Sequence, residues 1–164
     1  MMKIAKIDGK KLRQVAGAFP TGVTIVTTEK ADGSIHGMTA SSFLSVSLDP
    51  ALVSFCVKED AAIFSMLSVG KTVGISILAA NQTQVSNQFA GFNKEEIEVP
   101  MIKKKAGVFV IVEALAWYST VVHQIIPVGD HFLILCEVKE LDRAAAGNPL
   151  VYWSGYRTIS DKLD

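Results

Sequence analysis

The chain lacks most of the side-chain apparatus that marks an enzyme. Its 164 residues include only 2 cysteines and 3 histidines. Cys56 and Cys136 sit in separate apolar runs, with no Cys-x-x-Cys between them. That pattern is no disulfide framework and reads as buried, reduced thiols. His36, His123 and His131 share no metal-ligand spacing, and no cysteine lies near them in sequence. There is no Gly-x-Gly-x-x-Gly after the first strand, no Walker loop and no Gly-x-Ser-x-Gly elbow. Paired carboxylates occur only at Glu59-Asp60 and Glu95-Glu96, in segments that read as solvated turns. A chain so poor in acid, base and nucleophile would leave the difficult chemistry to a cofactor.

Net charge is absent as well, since 16 basic residues balance 16 acidic ones. Nothing therefore draws the chain to nucleic acid or to an anionic membrane, and copies of it repel one another little. No window holds the ~18 uninterrupted apolar residues of a membrane helix. The richest stretch, 107–126, is broken by Glu113 and His123. Met1 to Lys11 is polar and lysine-rich and lacks the apolar core of a signal peptide. A cytoplasmic setting is the expectation. The length fits one domain, 1–164, burying roughly two-thirds of the surface its unfolded chain would expose.

What is present is mostly strand. Val23 to Thr28 is β-branched almost throughout. Lys30 to Ser34 reads as a hairpin turn, and the chain returns through Ile35 to Leu48 as a second strand. Strands are expected at Ala51–Val57, Val73–Leu78, Gly107–Trp117, Ser119–Pro127, His131–Leu141 and Leu150–Trp153. Short helices are expected at Asp8–Phe19, with Leu12, Val15, Ala16 and Phe19 on one face, and at Ala61–Leu67 and Asn81–Phe89. Asn93 and Glu96 have capping-box spacing, and Pro100 to Lys105 reads as a solvated basic loop. Short connections make the sheet antiparallel, and many short strands favour a closed barrel with helices outside.

Three small-polar segments stand out: Thr39-Ala40-Ser41-Ser42, Ser76-Ile77-Leu78 and Gly129-Asp130-His131. Small side chains let a ligand approach the backbone, and hydroxyls can then bond to it. Each segment also has a plain reading as a polar sheet face or a turn. Further features accompany them in order: Phe-Pro-Thr-Gly-Val-Thr-Ile-Val-Thr-Thr at 19–28, Gly-Met-Thr-Ala-Ser-Ser-Phe at 37–43, Ser47-Leu48-Asp49-Pro50, Gln88-Phe89-Ala90-Gly91 and Tyr152 to Tyr156.

This ordered set resembles the flavin reductase-like, FMN-binding split-barrel family, especially the short reductase components of two-component flavin monooxygenases. The resemblance runs from Phe19 to Tyr156. It implies an antiparallel split β-barrel of mixed α+β class and a homodimer. It implies FMN, with FAD possible, and NADH or NADPH as hydride donor. Thr39, Ala40, Ser41 and Ser42 would line the flavin, with Ser76, Ile77 and Leu78 opposite. Lys58 and Ala61 would handle its phosphate, helped by free amides at a helix start. Phe89 would lie near the flavin or belong to the core of its own helix. His131 would stand beside the nicotinamide. The function implied is an NAD(P)H:flavin oxidoreductase supplying a monooxygenase. The alternatives are an FMN-bound reductase of ferric iron or a corrinoid, and a flavin-binding electron carrier.

Overall fold

The computed structural model describes residues 7–159. The first residues of the lysine-rich start and the end of the polar tail lie outside them. In chain order the elements are helix α1 (Gly9–Ala16) and strands β1 (Thr21–Gly22), β2 (Thr24–Glu29), β3 (Ile35–Ala40), β4 (Leu44–Leu48), β5 (Ala51–Lys58) and β6 (Thr72–Ile77). Helix α2 (Thr83–Phe89) follows. Strands β7 (Met101–Lys103), β8 (Phe109–Ile111), β9 (Ala116–Val128), β10 (His131–Arg143), β11 (Leu150–Tyr152) and β12 (Tyr156–Thr158) complete the chain.

Seven strands form one antiparallel sheet in the order β3-β2-β6-β9-β10-β5-β4. Its two edge strands, β3 and β4, are consecutive in sequence and joined only by residues 41–43. Three residues span little more than ~10 Å, so the sheet must curl until its edges nearly meet. No ladder joins β3 to β4. The barrel is therefore split rather than closed, with its seam at Ser41-Ser42-Phe43.

Alternation along each strand fills the inside of the curl. Val26, Val53, Phe55, Val57, Ile75 and Ile134 belong to one core, all nearly or wholly inaccessible. Cys136 lies in the same core, and burial pushes its thiol up to about 11. Strand β2 is buried on both faces, because Ile25 turns outward into a second core with Leu78, Ile111 and Leu150. Helix α2 covers that outer layer with Val85 and Phe89. Strand β8 presses on β6 at Gly74, where a β-carbon would fall 2.2 Å from the Phe109 carbonyl oxygen. Only glycine admits that approach, and the Thr27 hydroxyl donates to the same carbonyl.

Several expectations are corrected. The second strand breaks in two at the seam. The helix expected at 61–67 is a single 3-10 turn, Phe64–Met66. Asn93 makes no capping box; its amide donates to Gln84 O and Gln88 Oε1. The basic loop contains β7, paired to β8, with the Lys104 ammonium 4.0 Å above the Trp117 ring. The expected 107–117 strand turns at Glu113, whose φ is 59°, and β12 lies in what reads as tail. Helix α1 is capped by the Asp8 carboxylate as expected, at 3.0 Å from Lys10 N, but buries no residue. Its apolar face stays exposed because the helix stands off the sheet.

Candidate active site

The seam opens into a cleft of about 520 Å3. One wall is the Ser41-Ser42 corner with Phe43, the other is the Phe19-to-Gly22 segment, and Ile77 of β6 forms the floor. Phe43 is held by its contact with Tyr118, ring centroids 5.4 Å apart. No titratable side chain lines the cleft.

The corner is fixed by Ser42. The β4–β5 register pairs Leu44 with Ser54, and extended two residues back it would pair Ser42 with Cys56. There the Ser42 hydroxyl takes over from the backbone. It accepts from Cys56 N at 2.9 Å. Thr21 supplies the opposite feature. Its hydroxyl is buried and has no hydrogen-bond partner among the described residues. An orphaned hydroxyl at a cleft wall is a group available to a ligand.

Of the residues expected to bind flavin, Ser41, Ser42 and Ile77 share this cleft. The others stand elsewhere. Thr39 donates its hydroxyl to Ser86 O at 2.7 Å, tying β3 to α2. The Ala40 methyl points into the inner core. Ser76 is wholly buried, and its hydroxyl accepts from Ile111 N at 2.9 Å. Leu78 is wholly buried in the outer core. Ser76 and Leu78 thus sit behind the wall, since strand alternation turns them away from the cleft that Ile77 faces. Phe89 packs over Gly37 in the outer layer, which is the core alternative for that ring.

Lys58, Ala61 and His131 form a second corner. Lys58 pairs across the ladder with His131. It stands two residues, about 7 Å, beyond Cys56 on the outward face of β5, with Val57 between them turned inward. The Lys58 ammonium lies 2.6 Å from the Asp60 carboxylate. That contact raises the Lys58 pKa and lowers that of Asp60. Both groups are exposed, so the pair adds little stability. The Ala61 N–H donates to Lys58 O at 3.0 Å. The Ala61 amide is therefore engaged within the turn, and no α-helix forms here. The His131 Nδ1 lies 2.8 Å from Asp130 Oδ1. This bond is the first cause holding the Asp130 carboxyl below its ordinary value. Nε2 takes no part in that bond.

Thr21, Gly22 and Phe43 escaped the sequence reading as site residues. Phe19-Pro20-Thr21-Gly22 carries the signal of a helix end, and only the fold places that end against the seam.

The seam of this split barrel thus holds an uncharged cleft of small polar and apolar side chains. Comparisons identify the family. The flavin reductase like domain matches residues 16–160. An NADH-dependent flavin reductase from Rhodococcus sp. is 40% identical over 146 residues, covering 88% of this chain and 82% of that protein. The reductase component of the 4-hydroxyphenylacetate 3-monooxygenase of Thermus thermophilus is 34% identical over 148 residues, covering 90% and 94%. The NADH:FAD oxidoreductase SgcE6 of Streptomyces globisporus, solved with NAD and FAD fragments, superposes with a TM-score of 0.86. It has 33% identity and covers 98% of this chain and 100% of that one. The chain belongs to the flavin reductase-like family.

Proposed function

We propose that this protein is an NADH-dependent flavin reductase that supplies reduced flavin to a separate monooxygenase component. The observation that carries the reading is the cleft itself: a seam of small hydroxyl residues with no acid or base, in a chain of this family. When bound, the flavin supplies the hydride acceptor and the nicotinamide supplies the hydride. The protein's part is then positional. Ser41 and Thr21 stand on opposite walls, and Ile77 and Phe43 give an apolar floor and side that exclude water. Holding two reactants in a near-attack arrangement can supply ~7–11 kcal/mol of a barrier without proton transfer.

His131 belongs to this reading as the residue beside the nicotinamide, with Asp130 fixing its ring. Lys58 with Ala61 marks the phosphate end, provided its ammonium leaves Asp60. FMN and FAD both suit the uncharged cleft, and the FAD named for the relative SgcE6 favours the dinucleotide. The working unit in this reading is a homodimer of one-domain chains in the cytoplasm. Exposed Leu12 and Val15 on α1, Phe19 at the cleft, and Leu44 and Leu48 on β4 support self-association.

The test is direct. Purified protein is mixed with NADH or NADPH, with and without added FMN or FAD, and nicotinamide absorbance is followed. Rapid oxidation that depends on flavin is expected, faster with NADH. A tightly held flavin inert to both nicotinamides would replace this reading with an electron carrier. A protein that binds no flavin would overturn it.

A further inference from the structure

The seam cleft carries no titratable side chain, and the charges begin at the corner where β5 ends. Lys58 is the last residue of that strand, two beyond Cys56, whose N–H bonds Ser42 at the seam. Its ammonium is already engaged. It lies 2.6 Å from the Asp60 carboxylate, and the two side chains are 54% and 72% exposed. A ligand can therefore reach the pair, and either partner can swing away into water. A second carboxylate stands close by. Asp130 belongs to the β9–β10 turn, beside His131, which faces Lys58 across the ladder. Glu59 N donates to Asp130 O at 3.5 Å, which ties the two turns together. The Asp130 charge acts on both members of the pair, favouring the proton on Lys58 and on Asp60 alike. Apart from His131, Lys58 is the cation that acts on these two carboxylates among the described residues. One ammonium thus stands between two carboxylates and is bonded to one of them.

We propose that Asp60 is a specificity-determining residue: it holds the Lys58 ammonium in competition with the flavin phosphate, and so sets how little that phosphate adds to flavin affinity. The inference rests on the reading of the seam as a flavin site with its phosphate end at Lys58. A phosphate can bond this ammonium only by displacing a carboxylate already at charge-assisted distance. The exchange trades one anion for another on the same cation, so its net gain is small. The displaced Asp60 and the nearby Asp130 then face the phosphate as like charges. Riboflavin carries the same ring and ribityl chain without a phosphate. It leaves the Lys58–Asp60 pair intact and meets no such repulsion. The uncharged cleft then does most of the holding, and riboflavin and FMN bind with similar strength. A phosphate anchored this weakly also lets flavin leave quickly, which suits a protein that passes its product to another.

Equilibrium binding tests this without turnover. Riboflavin and FMN are titrated by flavin fluorescence against the parent chain, Asp60→Asn, the Lys58→Met/Asp60→Asn pair, and Glu59→Gln. Asp60→Asn is expected to tighten FMN about two- to fivefold, the scale of one exposed ion pair, and to leave riboflavin within about 1.5-fold. FMN dissociation, followed by stopped-flow displacement, should slow by the same factor. Removing Lys58 as well should erase the gain. Glu59→Gln deletes an equal charge one residue away, from a carboxylate with no ion-pair partner among the described residues. It should leave the ratio of FMN to riboflavin affinity within about 1.5-fold. Retained riboflavin affinity shows that each variant is folded. The proposal is overturned if Asp60→Asn leaves that ratio unchanged, if Glu59→Gln tightens FMN as much, or if the gain survives the loss of Lys58. It is overturned equally if the parent chain already binds FMN more than about tenfold tighter than riboflavin. Failure of the underlying reading looks different: the parent chain would bind neither flavin.

Discussion

Replacing Gly37 by alanine drives a methyl group into the ring of Phe89. An ideal β-carbon at Gly37 stands 2.6 Å from Phe89 Cε1 and 2.7 Å from Cδ1. Carbon atoms pack best at ~3.5–4.0 Å, so the ring must retreat by about 1 Å. It is not free to do so. Phe89 ends α2, and that helix is pinned by the Thr39 hydroxyl on Ser86 O at 2.7 Å and by Ser86 Oγ against Tyr156 Oη at 2.9 Å. Overpacking of this kind costs ~1–3 kcal/mol. At ~2–4 °C per kcal/mol for a chain of this size, the melting temperature falls by about 2–12 °C. Phe89→Ala removes a half-buried ring and should cost about 2–3 kcal/mol, below the ~3–5 of a fully buried one. In the double variant the new methyl enters space the ring has left, so its own cost disappears. Urea unfolding of all four proteins should give a coupling of about 1–3 kcal/mol. Strictly additive costs would refute the packing argument. FAD affinity should stay within about twofold in Phe89→Ala, and a tenfold loss would return this ring to the flavin wall.

Other perturbations bear on the site. Ser42→Ala removes the acceptor for Cys56 N at the seam; about 1 kcal/mol of stability should go, with a severalfold rise in flavin Kd, and an unchanged Kd would mean the corner does not shape the cleft. His131→Ala should lower NADH oxidation far more than flavin affinity, measured by steady-state rates beside fluorescence titration; equal loss of both, or of neither, counts against its place by the nicotinamide. His36 has its pKa lowered, first by burial and then by Lys30. Unfolding therefore takes up a proton there, and stability falls as pH drops below the ordinary histidine value of ~6.5. His36→Gln should flatten that acid slope in thermal melts, and parallel slopes would contradict it.

The strands were legible where propensity and punctuation agree. The β-branched run ahead of Lys30-Ala31-Asp32-Gly33-Ser34 is β2 and its hairpin turn, with the Asp32 carboxylate accepting from Ser34 N at 2.9 Å. Element order and the family were legible too, because short motifs recur in sequence. Side-chain direction was not. Ser76 and Ile77 are neighbours in one motif, yet the pleat sends one behind the sheet and the other into the cleft. The break at the seam carries no glycine or proline, so nothing local announces it. At the Asp60 turn, a local ion pair with Lys58 uses the carboxylate that would have capped a helix. Thr21 was hidden for a related reason: a helix stop is visible in sequence, but the surface it lands on is not.

The three-residue link between the two edge strands also bears on biosynthesis. The hairpins β2–β3 and β4–β5 are both complete by Lys58, yet they occupy opposite edges of the finished sheet. Everything that belongs between them, β6, β9 and β10, is made later. A nascent chain emerging from the ribosome thus carries two tethered hairpins whose inner edges, on β2 and β5, await partners. Unpaired strand edges are the sites where chains misassociate. Strand β6 satisfies the β2 edge and brings Ile77 to the floor of the cleft, but the β5 edge waits for β10 of the later β9–β10 hairpin. Ligand binding therefore reports completed synthesis of the barrel, and destabilising changes in β9 or β10 should lower soluble yield before they alter the chemistry of the seam.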